Sequence, residues 1–329
     1  RKGHEKSMRS PIRVRLAPSP TGYLHLGNAW TFLWCELAAR SQGGTVVLRI
    51  EDVDTARSRH HFADAIQEDL DWLGLSWDEG PYFQAPRVSR YTEVLDHLMA
   101  LGHAYPCFCS RKDLQGLASA PHGGMPAYPG TCRHLDKTSR ARKVQEKSPA
   151  IRLVLPESAC AFHDLVQGPF CASPAACGGD FPVRRGDGLF AYQLAVAVDD
   201  MDQHISLVVR GADLLDSTAR QQAVFQYLGA PPPHWAHVPL LVDPTGERLA
   251  NRHQSLSLRA LRAAGIQPGA ICGFLAWLGG LIPTAQPMSA QMLPPTFSWQ
   301  RLPRTPVLLP PNAMELLAGL SSTSRLPAP

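Results

Sequence analysis

Charge is scarce in this chain. Asp, Glu, Lys and Arg make up 18% of its 329 residues, against roughly 25% in an average globular protein. The net charge of +4 gathers at one end: residues 1–10 hold four basic side chains and one glutamate. Without them the balance is about +1, so overall charge gives no reason to expect nucleic acid, and a polyanionic partner must be met by a local patch. Long hydrophobic runs are missing too. The longest, residues 271–282, is twelve residues with three glycines, whereas a bilayer span needs about 20 apolar residues. No charged-then-apolar export stretch opens the sequence, and there is no internal repeat. These absences set the expectation of a cytoplasmic monomer with no membrane partner, in which the eight cysteines serve as thiols or metal ligands rather than disulfides.

What is present suffices for a folded core. Apolar residues make up 44%, and the length predicts about two domains. The 26 glycines and 30 prolines predict many turns. Residues 1–11 read as a flexible leader. Residues 12–17 alternate apolar and basic side chains as a short strand does. The rigid turn Pro18-Ser19-Pro20-Thr21-Gly22 follows, then a helix from about His25 to Arg40, closed by Gly43-Gly44. Residues 45–50 are a buried strand, residues 51–54 an acidic turn, and helices are expected up to Leu73 and over 88–101. Alternating strand and helix predicts an α/β fold with a parallel sheet, whose ligands sit at the carboxyl ends of the strands.

The rhythm breaks over residues 106–185, which hold six of the eight cysteines and read as an inserted module. It returns from Phe190 to Leu228, with a strand near 204–209 and a helix after Leu214. From Pro231 the chain is expected to be helical and proline-punctuated. The expected division is therefore one discontinuous domain of 12–105 and 186–245, the insert 106–185, and a small helical region with a loose proline-rich tail over 246–329.

The turn after the first strand carries chemistry. A helix begins near His25, and the unpaired N–H groups of a helix N-terminus attract anions. His25 and Thr21 can donate hydrogen bonds to phosphate, and Gly27 leaves room for a base or ribose. Arg15 precedes this turn, and Leu48-Arg49-Ile50-Glu51-Asp52-Val53-Asp54 ends the next strand. Further on stand Asp187-Gly188-Leu189-Phe190-Ala191-Tyr192-Gln193-Leu194-Ala195 and Val209-Arg210-Gly211-Ala212-Asp213-Leu214-Leu215. These four blocks, over about residues 12–260, resemble the class I glutamyl- and glutaminyl-tRNA synthetase family, with its Arg-Phe-Ala-Pro-Ser-Pro-Thr-Gly and His-Ile-Gly signature.

The resemblance implies a Rossmann-type catalytic domain with a zinc-binding insert and a small C-terminal helical region. It also implies residue roles. Arg15, Ala17, Ser19, Glu51, Tyr192 and Arg210 would form the L-glutamate site, with Arg15 on a carboxylate and Glu51 on the α-ammonium. Pro18, His25, Gly27, Asn28 and Asn251 would face ATP, with Mg2+ beside the phosphates. His25 and Thr21 would be catalytic, His25 by stabilising charge on the α-phosphate.

Cys107-Phe108-Cys109 and Cys132 suit a tetrahedral Zn2+ site of structural type, one per chain. By chemistry alone His134 is the more usual fourth ligand, while the Tyr128-x-x-x-Cys132 spacing resembles a short branch of the family in which the tyrosine ligates. Cys35, Cys160, Cys171, Cys177 and Cys272 are expected in the core.

One block departs from the family. Its mobile signature loop ends in a lysine that neutralises pyrophosphate, and the matching stretch here is Gly246-Glu247-Arg248-Leu249-Ala250-Asn251-Arg252. Asn251 replaces the lysine, leaving Arg248 and Arg252 as the catalytic cations. Fewer than 80 residues follow this loop, which matches the same short branch. Its members activate glutamate with ATP and transfer it to the queuosine base in the anticodon of tRNA(Asp). The alternatives are a truncated enzyme charging the 3′ end of tRNA(Glu) and a non-catalytic glutamate- or tRNA-binding module.

Overall fold

The computed structural model describes residues 11–110, 113–114, 127–249 and 254–323. β1 (Arg13–Leu16) leads through α1 (Leu26–Arg40) to β2 (Thr45–Ile50), and α2 (His60–Leu73) to β3 (Glu79–Phe83). The three strands are parallel and ordered β1-β2-β3, so each connection must cross the sheet, and a helix supplies the crossing. Eleven of the fifteen residues of α1 are buried. A helix apolar on nearly every side belongs in the interior, and Trp30, Leu33, Trp34 and Leu37 anchor the larger core there. β3 went unread because Gly80 and Pro81 look like a turn; the strand lies at the sheet edge, where proline is tolerated.

α3 (Val88–Ala100) precedes the cysteine-rich segment. Within that segment lie β4 (Ala104–Cys107), α4 (Lys137–Glu146), β5 (Ala150–Leu153), β6 (Ala161–Asp164), β7 (Gly168–Cys171) and β8 (Phe181–Arg184). β4, β5 and β8 form an antiparallel sheet. β6 and β7 form a hairpin whose β6 edge joins a different sheet, ordered β7-β6-β10-β9.

That sheet is completed by the returning strand–helix pattern. α5 (Tyr192–Asp202), β9 (Leu207–Gly211) and α6 (Ser217–Tyr227) are followed by β10 (His234–Val238) and β11 (Leu241–Val242). The last two strands correct the expectation of helix from Pro231. β10 shows no clean alternation because four of its five residues are buried, as in strands covered on both faces. β1 meets β9's sheet through Ser206, whose amide donates to the Arg13 carbonyl at 2.9 Å while its hydroxyl accepts from the Arg13 amide at 2.8 Å. The remaining elements are α7 (Leu258–Ala263), α8 (Pro268–Leu278), β12 (Val307–Leu308) and α9 (Ala313–Thr323). They pack against α1 and α2 in the larger core.

Cysteine placement follows the expected pattern with one exception. Cys35, Cys160, Cys177 and Cys272 are buried, but Cys171 is exposed, because it ends the edge strand β7. No helix among the described residues is long and apolar enough to cross a membrane.

Gly273 lets α8 touch a neighbouring backbone: a Cβ there would overlap the carbonyl oxygen of Gln286. Gly273→Ala should therefore destabilise the protein by about 1–3 kcal/mol, the usual cost of overpacking. A thermal melt tests this, and an unchanged midpoint would contradict the close approach.

Candidate active site

A cleft of about 520 Å3 opens where β1, β2 and β9 end. The turn from β1 into α1 gives it Arg15, Ala17, Pro18, Ser19, Thr21, His25, Gly27 and Asn28. Glu51 comes from the end of β2, Tyr192 from the start of α5, Arg210 from β9, and Arg248 from beyond β11. One cavity thus gathers these twelve expected site residues. Asn251 and Arg252 lie outside the described residues.

His25 is built into the start of α1. It is the N-cap, its Nδ1 accepting from the Gly27 amide at 3.1 Å, while its own amide donates to Asn28 Oδ1 at 3.0 Å. Because Nδ1 accepts, the neutral ring carries its proton on Nε2. The imidazole folds over Gly27, where a Cβ would lie 3.0 Å from His25 Nδ1 and Cε1. Glycine at 27 therefore makes room for the His25 ring, a use the sequence reading did not anticipate. The positive end of a fifteen-residue helix and an N–H donor so reach the same cleft.

The floor holds a buried charge network. Asp200 on α5 accepts from Arg15 Nε at 3.0 Å and Arg49 Nη1 at 2.8 Å. Arg49 also donates from Nη2 to Glu51 at 3.1 Å. Burial alone would raise the Asp200 carboxyl, but the two guanidiniums outweigh it and hold it below the usual carboxylate range. The balance reverses at Glu51, where burial exceeds the pull of Arg49 and Arg15 and leaves the carboxyl raised. Arg210 carries the opposite mismatch. It is 4% exposed, and among the described residues no carboxylate lies within ion-pair distance. Burial and the neighbouring Arg15 lower its pKa although Tyr192 and Asp200 oppose them. A buried cation with no carboxylate partner and a buried carboxylate whose ion pair with Arg49 does not offset its burial therefore share one cavity. Such an arrangement suits a small ligand bearing both signs.

At the mouth, Arg248 pairs with Asp213 at 2.7 Å and is 66% exposed. A tight turn sets its position: Asp243 Oδ1 accepts from the Thr245 and Glu247 amides, both at 2.9 Å, and Arg248 returns beside Val242. Gly211 permits the pairing, since a Cβ there would lie 2.5 Å from Asp213 Oδ1.

A second cluster lies in the cysteine-rich segment. The sulfurs of Cys107, Cys109 and Cys132 lie within 4.8 Å of one another. Tyr128 Oη stands 3.3 Å from Cys107 Sγ and 3.6 Å from Cys109 Sγ, whereas His134 is exposed and is not in the group. The Cys109–Cys132 separation of 3.7 Å matches the edge of a tetrahedron with metal–sulfur bonds of about 2.3 Å. The donors thus fit a metal ion. Arg152 supports them, donating from Nε to Cys107 Sγ at 3.3 Å with its guanidinium 3.9 Å from the Tyr128 ring centroid. Burial would raise the Cys107 thiol, but bonds from Tyr128, the Cys109 backbone and Arg152 bring it below its ordinary value. Next to this cluster, α4 buries no residue and bears Lys137, Arg140, Arg142 and Lys143; Lys147 just beyond donates to the Phe108 carbonyl at 3.3 Å.

Sequence reasoning gave no role to several supporting groups: Asp200, Arg152 and His237, which it did not single out, and Asp213 and Asp164, which stand inside motifs that resemble the family. The one usable signal was Asp199-Asp200 closing an otherwise apolar run in α5, since acids there must be paired.

Comparison with known proteins agrees with this architecture. The chain matches the profile of tRNA synthetases class I (E and Q), catalytic domain, over residues 11–292. It is 51% identical over 317 residues to the glutamyl-Q tRNA(Asp) synthetase of Nitratidesulfovibrio vulgaris, covering 93% of this chain and 98% of that protein. The glutamyl-Q tRNA(Asp) synthetase of Symbiobacterium thermophilum is 48% identical with the same coverage. The glutamate–tRNA ligase of Nitrosospira multiformis is 38% identical over 309 residues, 93% of this chain but 65% of its own length. Among solved structures, a glutamate tRNA ligase from Elizabethkingia meningosepticum superposes with a TM-score of 0.80 at 24% identity, covering 94% of this chain and 69% of that one, a likeness of fold. With the profile spanning most of its length and full-length relatives at half identity, the chain belongs to the class I tRNA synthetases (E and Q), a family of ligases.

Proposed function

We propose that the protein activates L-glutamate with ATP and transfers the glutamyl group to the queuosine base in the anticodon of tRNA(Asp). The observation that carries the first step is the pairing, in one cleft, of buried Arg210 with buried Glu51 beside the N-terminus of α1. Glutamate would bring a side-chain carboxylate to Arg210, which has no carboxylate partner among the described residues, with Arg15 beside it, and an α-ammonium to Glu51, adding to the contact from Arg49. Tyr192, Ala17 and Ser19 complete the pocket. The acceptor is inferred from the two relatives matched over 98% of their length, both glutamyl-Q tRNA(Asp) synthetases.

In this reading the α-carboxylate attacks the α-phosphorus of ATP, and pyrophosphate leaves. His25 Nε2–H and the α1 N-terminus meet the negative charge that develops on the phosphoryl oxygens, with Thr21 beside them. Pro18 shapes the turn, while Gly27 and Asn28 line the cleft where the nucleotide would lie, and Asn251, outside the described residues, is the remaining expected nucleotide contact. Arg248 and Arg252 would take the leaving pyrophosphate, with Arg252 one residue past the position where Asn251 replaces the family's lysine. Mg2+ bound with ATP shares the phosphate charge. A queuosine cyclopentenediol hydroxyl then attacks the glutamyl carbonyl, and AMP leaves. The exposed basic helix α4 offers the local patch that RNA phosphates require.

Cys107, Cys109, Cys132 and Tyr128 would hold one Zn2+. Four protein ligands close the coordination sphere, so the ion would brace the loop rather than take part in catalysis.

ATP–pyrophosphate exchange with glutamate, followed by glutamate transfer to queuosine-bearing tRNA(Asp), tests the function. Exchange without tRNA and transfer only to the modified tRNA are expected; charging of tRNA(Glu) at its 3′ end, or no exchange at all, would overturn it. Glu51→Gln removes a charge-assisted contact to the ammonium, so KM for glutamate should rise roughly 10- to 100-fold with KM for ATP nearly unchanged. Arg252→Ala should slow exchange, and an unaltered rate would remove Arg252 from the reaction. Elemental analysis should find one zinc per chain, and Tyr128→Phe should bind it more weakly; equal affinity would eliminate the phenol as a ligand.

A further inference from the structure

Behind Arg210 lies a chain of wholly buried polar groups that the proposed chemistry does not use. His237 on β10 and Asp164 at the end of β6 are both 0% exposed, their Nδ1 and Oδ2 atoms 2.6 Å apart. The Asp164 carboxylate also accepts from the amides of Val166 at 2.9 Å and Gln167 at 2.8 Å. Arg210 Nε donates to His237 Nε2 at 2.9 Å, and Thr218 Oγ1 stands 3.1 Å from the same nitrogen.

The direction of every bond follows from the groups themselves. An ionised carboxylate only accepts, so Nδ1 carries the imidazole proton. Nε2 is then an acceptor, as a guanidinium N–H requires. Thr218 Oγ1 accepts from Arg210 Nη2 at 2.9 Å. Gln221 Oε1 takes Arg210 Nη1 at 2.7 Å. Every direct acceptor of Arg210 among these is neutral, and the nearest anion along the chain, Asp164, is one imidazole away.

This separation has a chemical purpose. A carboxylate bound directly to Arg210 would neutralise it and occupy its donor fork. Leaving the cation wholly unbalanced in the interior would cost several kcal/mol. An anion relayed through a neutral ring avoids both outcomes: it offsets the charge and fixes the guanidinium plane through Nε, while the cation stays without a carboxylate partner where it lines the cleft beside Tyr192.

We propose that His237 and Asp164 are positioning residues for glutamate selection, holding Arg210 oriented and unneutralised for the substrate's side-chain carboxylate. This rests on the reading that Arg210 binds glutamate. The experiment is ATP–pyrophosphate exchange on the full chain, measuring KM for glutamate, KM for ATP and kcat for Arg210→Gln, His237→Leu, His237→Gln and the double variant Arg210→Gln/His237→Leu. His237→Leu removes the acceptor and should raise KM for glutamate at least tenfold, with KM for ATP within twofold. His237→Gln can place an amide oxygen near the Nε2 position and should recover most of that loss. In the Arg210→Gln background, His237→Leu should add little, because its effect passes through the guanidinium.

The outcomes separate the two ideas. If Arg210→Gln leaves KM for glutamate unchanged, the glutamate-site reading fails and takes this inference with it. If Arg210→Gln raises KM while folded His237→Leu does not, or if the penalties simply add, the positioning role alone is overturned. Should His237→Leu fail to fold, His237→Asn, whose shorter amide keeps the bond to Asp164 but falls short of Arg210, carries the same contrast with His237→Gln.

Discussion

One carboxylate, Asp200, makes this active site possible. Arg15, Arg49 and Asp200 are all at most 3% exposed, and guanidiniums on two neighbouring strands converge on a single oxygen of that aspartate. Like charges held together in the interior repel, and leaving such a cation without a partner costs several kcal/mol. Asp200 relieves both arginines at once. It also ties α5 to β1 and β2, so the helix that begins with Tyr192 is fixed against the strands that present Arg15 and Glu51. The position of three expected glutamate contacts thus depends on one side chain outside the motif blocks.

The α1 end of the cleft, the expected phosphate side, follows a different logic. There the helix dipole adds to the side chains of His25 and Arg248 that line the cleft. His25, Gly27 and Asn28 form one interlocked cap, in which a main-chain amide aims the imidazole. The cleft therefore combines an ion-paired floor with a dipolar wall, joined by the rigid turn from Pro18 to Gly22.

How much of this could be read beforehand depended on sequence distance. β1, α1 and β2 were legible because their signals are local: β-branched runs, a proline turn, a double glycine. The site residues on those elements were legible because their motif is contiguous. The cysteine cluster was legible from spacing, although chemistry alone left Tyr128 and His134 both open as its fourth member. Partners that meet only after folding were not legible. Asp200 is 185 residues from Arg15 and His237 is 73 from Asp164, so no window holds both members of either pair. β10 was read as helix because burial on both faces erased the alternation that marks a half-exposed strand. Net charge misled in its own way, averaging away a basic helix, α4, whose charges all lie within one stretch.

The Arg248–Asp213 pair bears on how the cleft fills. A polyphosphate reaching the mouth meets a cation already matched with an anion, so its arrival is an exchange of counter-ions rather than the capture of a bare charge. Pairs this exposed are worth only about 0–1 kcal/mol, so the exchange is nearly free in either direction. In the proposed reaction Asp213 would be a weak placeholder, holding the arginine at the mouth of the cleft and yielding it readily to a nucleotide.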